Sequence, residues 1–267
     1  MIQTDMDWDD FLLPYDQAVE EMALKFTLLR DEYIKRGEYS PIHYISKRLK
    51  SVNSIMEKMH TKNITFDEIA YKMADIAGIR LVTQFEEDIE LLAKLIATRS
   101  DMKIIERKDY FKNPKPSGYK SVHLIVEYDV NTIRGVESII AEIQLRTLAM
   151  DFWATIEHSL NYKYRDEMPG ELKERLVIAA KTVHELDREM GTIRDEIADA
   201  QRLFTRKTEI IDAILENLNT LGKQGKREAV KRYFKNFTEF KDSDNTLQLV
   251  LMSKEIEREL EEGSVEL

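Results

Sequence analysis

The chain has 267 residues, 34% of them charged and 43% hydrophobic, and its formal net charge is −10. That balance excludes a surface built throughout to grip nucleic acid, and the apolar share excludes a disordered chain. Cysteine is absent, which removes disulfides, zinc–thiolate sites and cysteine nucleophiles, and no run approaches the ~18 apolar residues of a membrane span.

The acidic stretch Met1–Asp10 lacks the basic and apolar blocks of a signal peptide, so a reduced, cytoplasmic protein with no membrane contact is expected. Residues Tyr15–Arg36 predict an amphipathic helix, since Ala18, Met22, Phe26, Leu29 and Tyr33 recur every three to four positions and Gly37 follows as a stop. Pro41 opens a short segment leading into a second helical pattern at Val52–His60, and Asp67–Tyr71 predicts a short third one. The period then changes. Ile76–Thr83 is short, apolar and β-branched, as a buried strand is. Glu86–Arg99 returns to helical spacing, and Met102–Tyr110 predicts a second strand.

The run Asn113-Pro114-Lys115-Pro116-Ser117-Gly118 is a loop by composition. Val122–Val130 and Ser138–Arg146 predict a third and a fourth strand, antiparallel across a turn at Asn131–Gly135. Helices follow at Leu148–Tyr164 and Glu171–Phe204, and Ile210–Leu221, Arg227–Phe237 and Leu247–Leu260 predict three short ones. The expected class is α+β: a mixed sheet of about four to five strands covered by helices, over residues 1–205, with a helical C-terminal extension over 206–267.

The charge is unevenly spread. Residues 1–40 carry a net −6, residues 41–125 a net +4 and residues 126–267 a net −8. A basic middle between acidic flanks suggests an anion site there, although solvated charge fluctuates enough to produce the same pattern. The fourth strand alternates, with Ala141, Ile143 and Leu145 on one face and Glu142, Gln144 and Arg146 on the other. That polar face is either solvated or the floor of a cleft. Ser121, His123 and Ile125 share a face of the third strand, which can set His123 beside Glu142 or leave it a structural histidine. Asp75, just before the first strand, is a cap or a metal ligand. Two carboxylates on neighbouring strands form a minimal Mg²⁺ site when a substrate supplies phosphate oxygens. Lys47, Arg48, Lys50 and Lys58, together with Lys112, Lys115 and Lys120, provide the cations that a triphosphate needs, and Arg80 lies on the first strand. Tyr119, directly after Gly118, is either an exposed platform for a nucleobase or a strand-end core residue. Neither a Walker-type loop nor G-x-G-x-x-G occurs, so a nucleotide site must be built differently.

At these residues the sequence resembles the small alarmone synthetases, single-domain members of the RelA/SpoT family. The pieces are Lys47-Arg48-Leu49-Lys50-Ser51, Asp75-Ile76-Ala77-Gly78-Ile79-Arg80, Ser117-Gly118-Tyr119-Lys120-Ser121-Val122-His123 and Ala141-Glu142-Ile143-Gln144-Leu145-Arg146-Thr147. Ala149 to Ala154, Glu157-His158 and Tyr162-Lys163-Tyr164 match as well. The resemblance implies a nucleotidyltransferase-like synthetase fold and transfer of the β,γ-pyrophosphate of ATP to the 3′-hydroxyl of GDP or GTP, giving AMP and ppGpp or pppGpp. It implies that Arg48 and Arg80 sandwich the adenine and that Lys50, Ser54 and Lys58 contact the ATP phosphates. Asp75 and Glu142 would hold Mg²⁺, and Glu142 would also activate the attacking hydroxyl. Tyr119 would stack on the guanine, with Lys115, Lys120, His123 and Gln144 around the acceptor.

The resemblance further implies a homotetramer. It brings no expectation of hydrolysis, because no His-Asp pair precedes the synthetase motifs. Two positions depart from the pppGpp-activated subgroup, where Lys47 is usually Gly and Asp151 usually Asn, and the Lys-Asn-Pro-Lys-Pro loop looks more like the RelP-type subgroup. The alternatives are a toxin-type transferase acting on tRNA and a catalytically silent nucleotide- or RNA-binding regulator. The acidic helices after residue 165 oppose the first, so RNA binding is not expected, and retention of both carboxylates opposes the second.

Overall fold

In the computed structural model, which describes residues 7–164, 168–241 and 246–262, five strands form one mixed sheet. They are β1 (Tyr44–Leu49), β2 (Ala77–Thr83), β3 (Lys103–Asp109), β4 (Val122–Thr132) and β5 (Gly135–Thr147), in the order β1-β2-β5-β4-β3. The β2–β5 pair is parallel and the other three are antiparallel. β1 does not stand out in the sequence. It is an edge strand with Lys47 and Arg48 among its six residues, so it has no continuous apolar run to reveal it. β4 and β5 close on a two-residue hairpin loop, with Thr132 paired to Gly135. Gly135 has φ +111°, a conformation glycine adopts without steric cost.

Helix α1 (Trp8–Lys35) begins seven residues earlier than its periodicity suggests, because the Asp7 side chain caps it by accepting from the backbone N–H groups of Asp9 and Asp10. Pro14 is accommodated inside it. Ala18, Val19, Met22 and Phe26 on α1 join Ile79, Leu81, Ile143 and Leu145 of the sheet in one buried cluster. Met22, Phe26, Ile79 and Leu81 are each almost wholly buried, and each such side chain stabilises the fold by about 1.5–3 kcal/mol. The same cluster takes in Ile55 and Met59 of α2 (Val52–Lys62), Ile69 of the short α3 (Ile69–Lys72), and Ile89, Leu92 and Ile96 of α4 (Glu86–Ala97). One face of the sheet is thereby closed, and the polar face is left for other work.

After β5 come α5 (Leu148–Tyr164), α6 (Gly170–Lys223), α7 (Arg227–Phe240) and α8 (Thr246–Glu262). The side chains of Tyr162-Lys163-Tyr164 lie outside the described residues. α6 corrects the expected division into one helix ending at Phe204 and another starting at Ile210. It is continuous over 54 residues, since nothing between those positions is a glycine or proline that would stop it. The chain divides into two compact units, Met1–Gly191 and Thr192–Leu267. The second has its own core, in which Ile214, Leu218 and Leu221 pack with Tyr233 and Phe237 of α7 and with Leu249, Met252 and Ile256 of α8.

Candidate active site

The ladder registers build the site. Arg48 on β1 pairs with Gly78 on β2, Gly78 with Glu142 on β5, and Glu142 with Ile125 on β4. The next row on the same face is Ser46, Arg80, Gln144 and His123. Because side chains on directly paired residues point to one side of a sheet, these two rows carpet a single floor with Arg48, Arg80, Glu142, Gln144 and His123. Gly78 leaves the centre of that floor open. A side chain there would rise between Arg48 and Glu142, its Cβ 3.4 Å from the Arg48 carbonyl oxygen.

Above the floor lies a cavity of about 480 Å³, lined by Arg48, Lys50, Asp75, Arg80, Lys115, Tyr119, His123, Glu142 and Gln144 among others. Nine positions singled out in the sequence, drawn from four strand or loop segments, therefore converge on one cleft. Lys58 reaches the cleft through Asp75. Ser54 lies in the first turn of α2, where its N–H is capped by the Ser51 hydroxyl. Lys120 is not among the lining residues: its neighbours in the chain, Tyr119 and Ser121, are buried, while Lys120 sits in the field of Glu86 and Arg188.

Asp75 accepts from Lys50 Nζ at 2.9 Å and from Lys58 Nζ at 2.7 Å. Burial alone would push its carboxyl up, but the two ammonium groups outweigh burial and hold it below the usual range. Glu142 is treated similarly. Burial raises it and Asp75 adds to the rise, yet hydrogen bonds from His123 (2.8 Å) and Gln144 Nε2 (2.7 Å) bring it below its ordinary value. Burial lowers His123, so the neutral ring is favoured. Its tautomer follows from the partners. An ionised Glu142 only accepts, so Nδ1 carries the proton, and Nε2 is left to accept from the Tyr119 hydroxyl at 3.0 Å. Tyr119, His123 and Glu142 form one chain of hydrogen bonds.

Tyr119 is not an exposed platform here. It is 6% exposed, packed with Met150, Trp153 and Ala180. Lys115 Nζ is 5.0 Å and the Arg146 guanidinium 4.9 Å from its ring centroid. The loop before it is held tightly as well: Gly118 has φ +83°, and a Cβ on it would come within 2.8 Å of Ala180 Cβ on α6. Arg146 lies on the polar face seen in the sequence but carried no role there. Its guanidinium donates to Gln144 Oε1 at 2.7 Å and to Asp151 at 3.2 Å. Glu157 and His158 of α5 also line the cavity, a closeness across sequence that strand alternation does not reveal.

Among the described residues no group of three or more His, Cys, Asp or Glu side chains forms a metal cage. Asp75 and Glu142 nevertheless line the same cavity, each held ionised, and Asp75 already gathers two cations. Such a donor set suits Mg²⁺, which is held through one or two carboxylates and completes its shell with water and substrate phosphates. The cleft can thus bind a polyphosphate, neutralise it and offer a carboxylate base.

A sequence family described as a region found in RelA and SpoT proteins matches residues 47–167. The GTP pyrophosphokinase YjbM of Bacillus subtilis (strain 168) is 45% identical over 203 residues, which are 76% of this chain and 96% of the relative. Two solved structures superpose well: the small alarmone synthetase 1 of Bacillus subtilis bound to its product pppGpp (TM-score 0.70, 44% identity, 72% of this chain and 99% of that one) and the same protein bound to AMPCPP (TM-score 0.65, 42% identity, 73% and 100%).

Proposed function

The chain belongs to the RelA/SpoT family, and from that footing we propose that it is a GTP pyrophosphokinase, transferring the β,γ-pyrophosphate of ATP to the 3′-hydroxyl of GDP or GTP. The observation that carries this reading is the convergence of Arg48, Lys50, Asp75, Arg80, Tyr119, His123 and Glu142 on one cavity. The 3′-oxygen attacks the β-phosphorus, its proton passes to Glu142, and the bond from the β-phosphorus to the α,β-bridging oxygen breaks to release AMP. Little covalent work is asked of the protein, so positioning and charge neutralisation account for the rate.

Arg48 and Arg80 are diagonal neighbours on adjacent strands and share one face, a spacing that lets two planar guanidiniums flank an adenine. Lys50 and Lys58, with Ser54 at the start of α2, face the phosphate chain. Mg²⁺ held by Asp75 and Glu142 would neutralise the charge of the pyrophosphoryl group. Lys50 and Lys58, which pair with Asp75, would also be available to phosphate oxygens. Lys115, His123 and Gln144 would surround the acceptor, whereas Lys120 lies outside the cavity lining. Tyr119 stacks on its guanine, which requires the ring to leave the cover of Lys115.

A cytoplasmic location is part of this reading, because ATP and GDP or GTP would be drawn from the cytoplasmic nucleotide pool. Among the described residues no helix is long and apolar enough to cross a membrane. A homotetramer is supported by apolar side chains left exposed along α1 and α6, Leu24 and Leu28 on one and Ile178, Leu186 and Met190 on the other. Light scattering tests the assembly.

The deciding experiment supplies Mg²⁺, ATP and GDP or GTP to the purified chain and looks for AMP with a 3′-pyrophosphorylated guanine nucleotide. A folded protein that makes neither product rejects the assignment. Glu142→Gln removes the base and is expected to lower kcat by about 10²-fold or more, while Tyr119→Ala acts through acceptor binding.

A further inference from the structure

Asp151 is not itself part of the cavity lining, yet it holds two residues that are. It lies in the first turn of α5 and is 5% exposed. Three strands send side chains to its carboxylate. The Tyr44 hydroxyl of β1 donates to Oδ2. Arg80 Nη1 of β2 lies 3.1 Å from Oδ1, and Arg146 Nη1 of β5 lies 3.2 Å from the same atom. Arg146 continues the connection, with Nη2 on Gln144 Oε1 and its guanidinium over the Tyr119 ring. It is 8% exposed.

Two guanidiniums converge on one oxygen in a setting where solvent screens them weakly, and without an anion between them they would repel. The carboxylate removes that repulsion, orients the Arg146 fork through a hydrogen bond and holds Arg80 by charge. Arg80 belongs to the ATP half of the cleft. Arg146, through Gln144 and Tyr119, belongs to the acceptor half. Among the described residues no other acidic side chain is seen to form ion pairs with both. Tyr44 keeps the second carboxylate oxygen occupied, so the carboxylate cannot rotate freely.

We propose that Asp151 is a positioning residue that ties the donor and acceptor halves of the site together by holding Arg80 and Arg146 on one carboxylate, a role that presupposes the pyrophosphate transfer described above. It touches neither reacting atom and acts through the two arginines.

Steady-state kinetics of the full chain with each substrate varied in turn test this. Asp151→Ala should raise KM for ATP and for GTP together, each about tenfold, since misplacing a binding group by an ångström has effects of that order or larger. Arg80→Ala should raise chiefly the first and Arg146→Ala chiefly the second. Adding Asp151→Ala to Arg80→Ala should change the ATP KM by less than about twofold further, and adding it to Arg146→Ala should do the same for GTP, because groups that act as one unit are not additive. Asp151→Asn keeps the shape and loses the charge, and should fall between wild type and alanine in both constants. A merely structural Asp151 would lower the melting temperature and leave both KM values alone, and that result, or fully additive double variants, overturns the proposal. If Asp151→Ala does not fold, Asp151→Asn decides: both KM values raised by about threefold or more support the tie, and unchanged values reject it. Failure of the activity itself is told apart by the wild type. If wild type makes no product, calorimetric affinities of the same variants for AMPCPP and for GDP read the tie directly.

Discussion

At Glu142 two donors, His123 and Gln144, hold an ionised carboxylate against the pull of burial. The same logic runs through the site: buried charge is tolerated where geometry supplies a partner. Gly118 shows the steric counterpart. Its φ of +83° and the 2.8 Å clearance to Ala180 leave no room for a methyl group. Gly118→Ala should therefore shift the loop and raise the KM for the guanine nucleotide by about tenfold, with the ATP constant within about twofold, as expected when roughly 1–3 kcal/mol of overpacking is relieved by moving one segment. Kinetics with each nucleotide varied will show whether the effect is confined to the acceptor.

Away from the site, Asp101 accepts from Arg99 Nε and Nη2 (2.8 and 2.6 Å) and lies 3.0 Å from Lys25, and these cations lower its carboxyl to about 2, with the Arg99 bond the largest cause. A depressed carboxyl stabilises the fold above its unfolded value of ~3.9 and loses that contribution as pH falls through about 2. Asp101→Asn should melt earlier than wild type at neutral pH, and the gap should narrow from about pH 4 toward pH 2. Parallel thermal melts across that range measure it, and a gap independent of pH would contradict the pairing.

The strands and helices divide into those whose pattern is local and those whose pattern is not. β2, β4 and β5 are visible as apolar or alternating runs because each is paired on both sides. β1 escapes notice because its six residues hold no apolar or alternating run, whereas β3, also at an edge, keeps Ile104 and Ile105 side by side, although β1 supplies Arg48 and leads directly into Lys50. α6 escapes correct division for the opposite reason. Thr205 to Glu209 carry no apolar face, so the periodicity lapses there while the backbone has no cause to break. Proline tests the continuity: Arg206→Pro removes a mid-helix hydrogen bond and clashes with the preceding turn, at a cost of about 3 kcal/mol. Circular dichroism should report lost helicity and a lower melting temperature. A silent substitution would mean that the two halves are separate helices after all.

At the scale of the whole molecule, the two units have separate cores. Every site residue named above lies within Met1–Gly191. Ile256, fully buried in the second core, provides the test of independence. Ile256→Ala should destabilise that unit by about 2–4 kcal/mol, seen as an earlier unfolding transition, while the KM values for both nucleotides stay as in wild type. A change in either constant would show that the helical unit takes part in nucleotide binding.

Read without the fold, the chain already discloses its class and its chemical inventory: two carboxylates, the arginines, the lysines and the aromatic, placed on strands by alternation and on loops by proline and glycine. These properties are local, since a period of two or of 3.6 is written in neighbouring residues. Only the folded chain shows that Tyr119 rests buried against two cations, that Lys50 and Lys58 share Asp75, and that Asp151 gathers Tyr44, Arg80 and Arg146. Tyr44 and Asp151 are 107 positions apart, and Lys50 and Asp75 are 25 apart. Contacts of that kind follow from strand order and register, which bring together groups that no local pattern connects, and the charges they pair are what make the cleft a site.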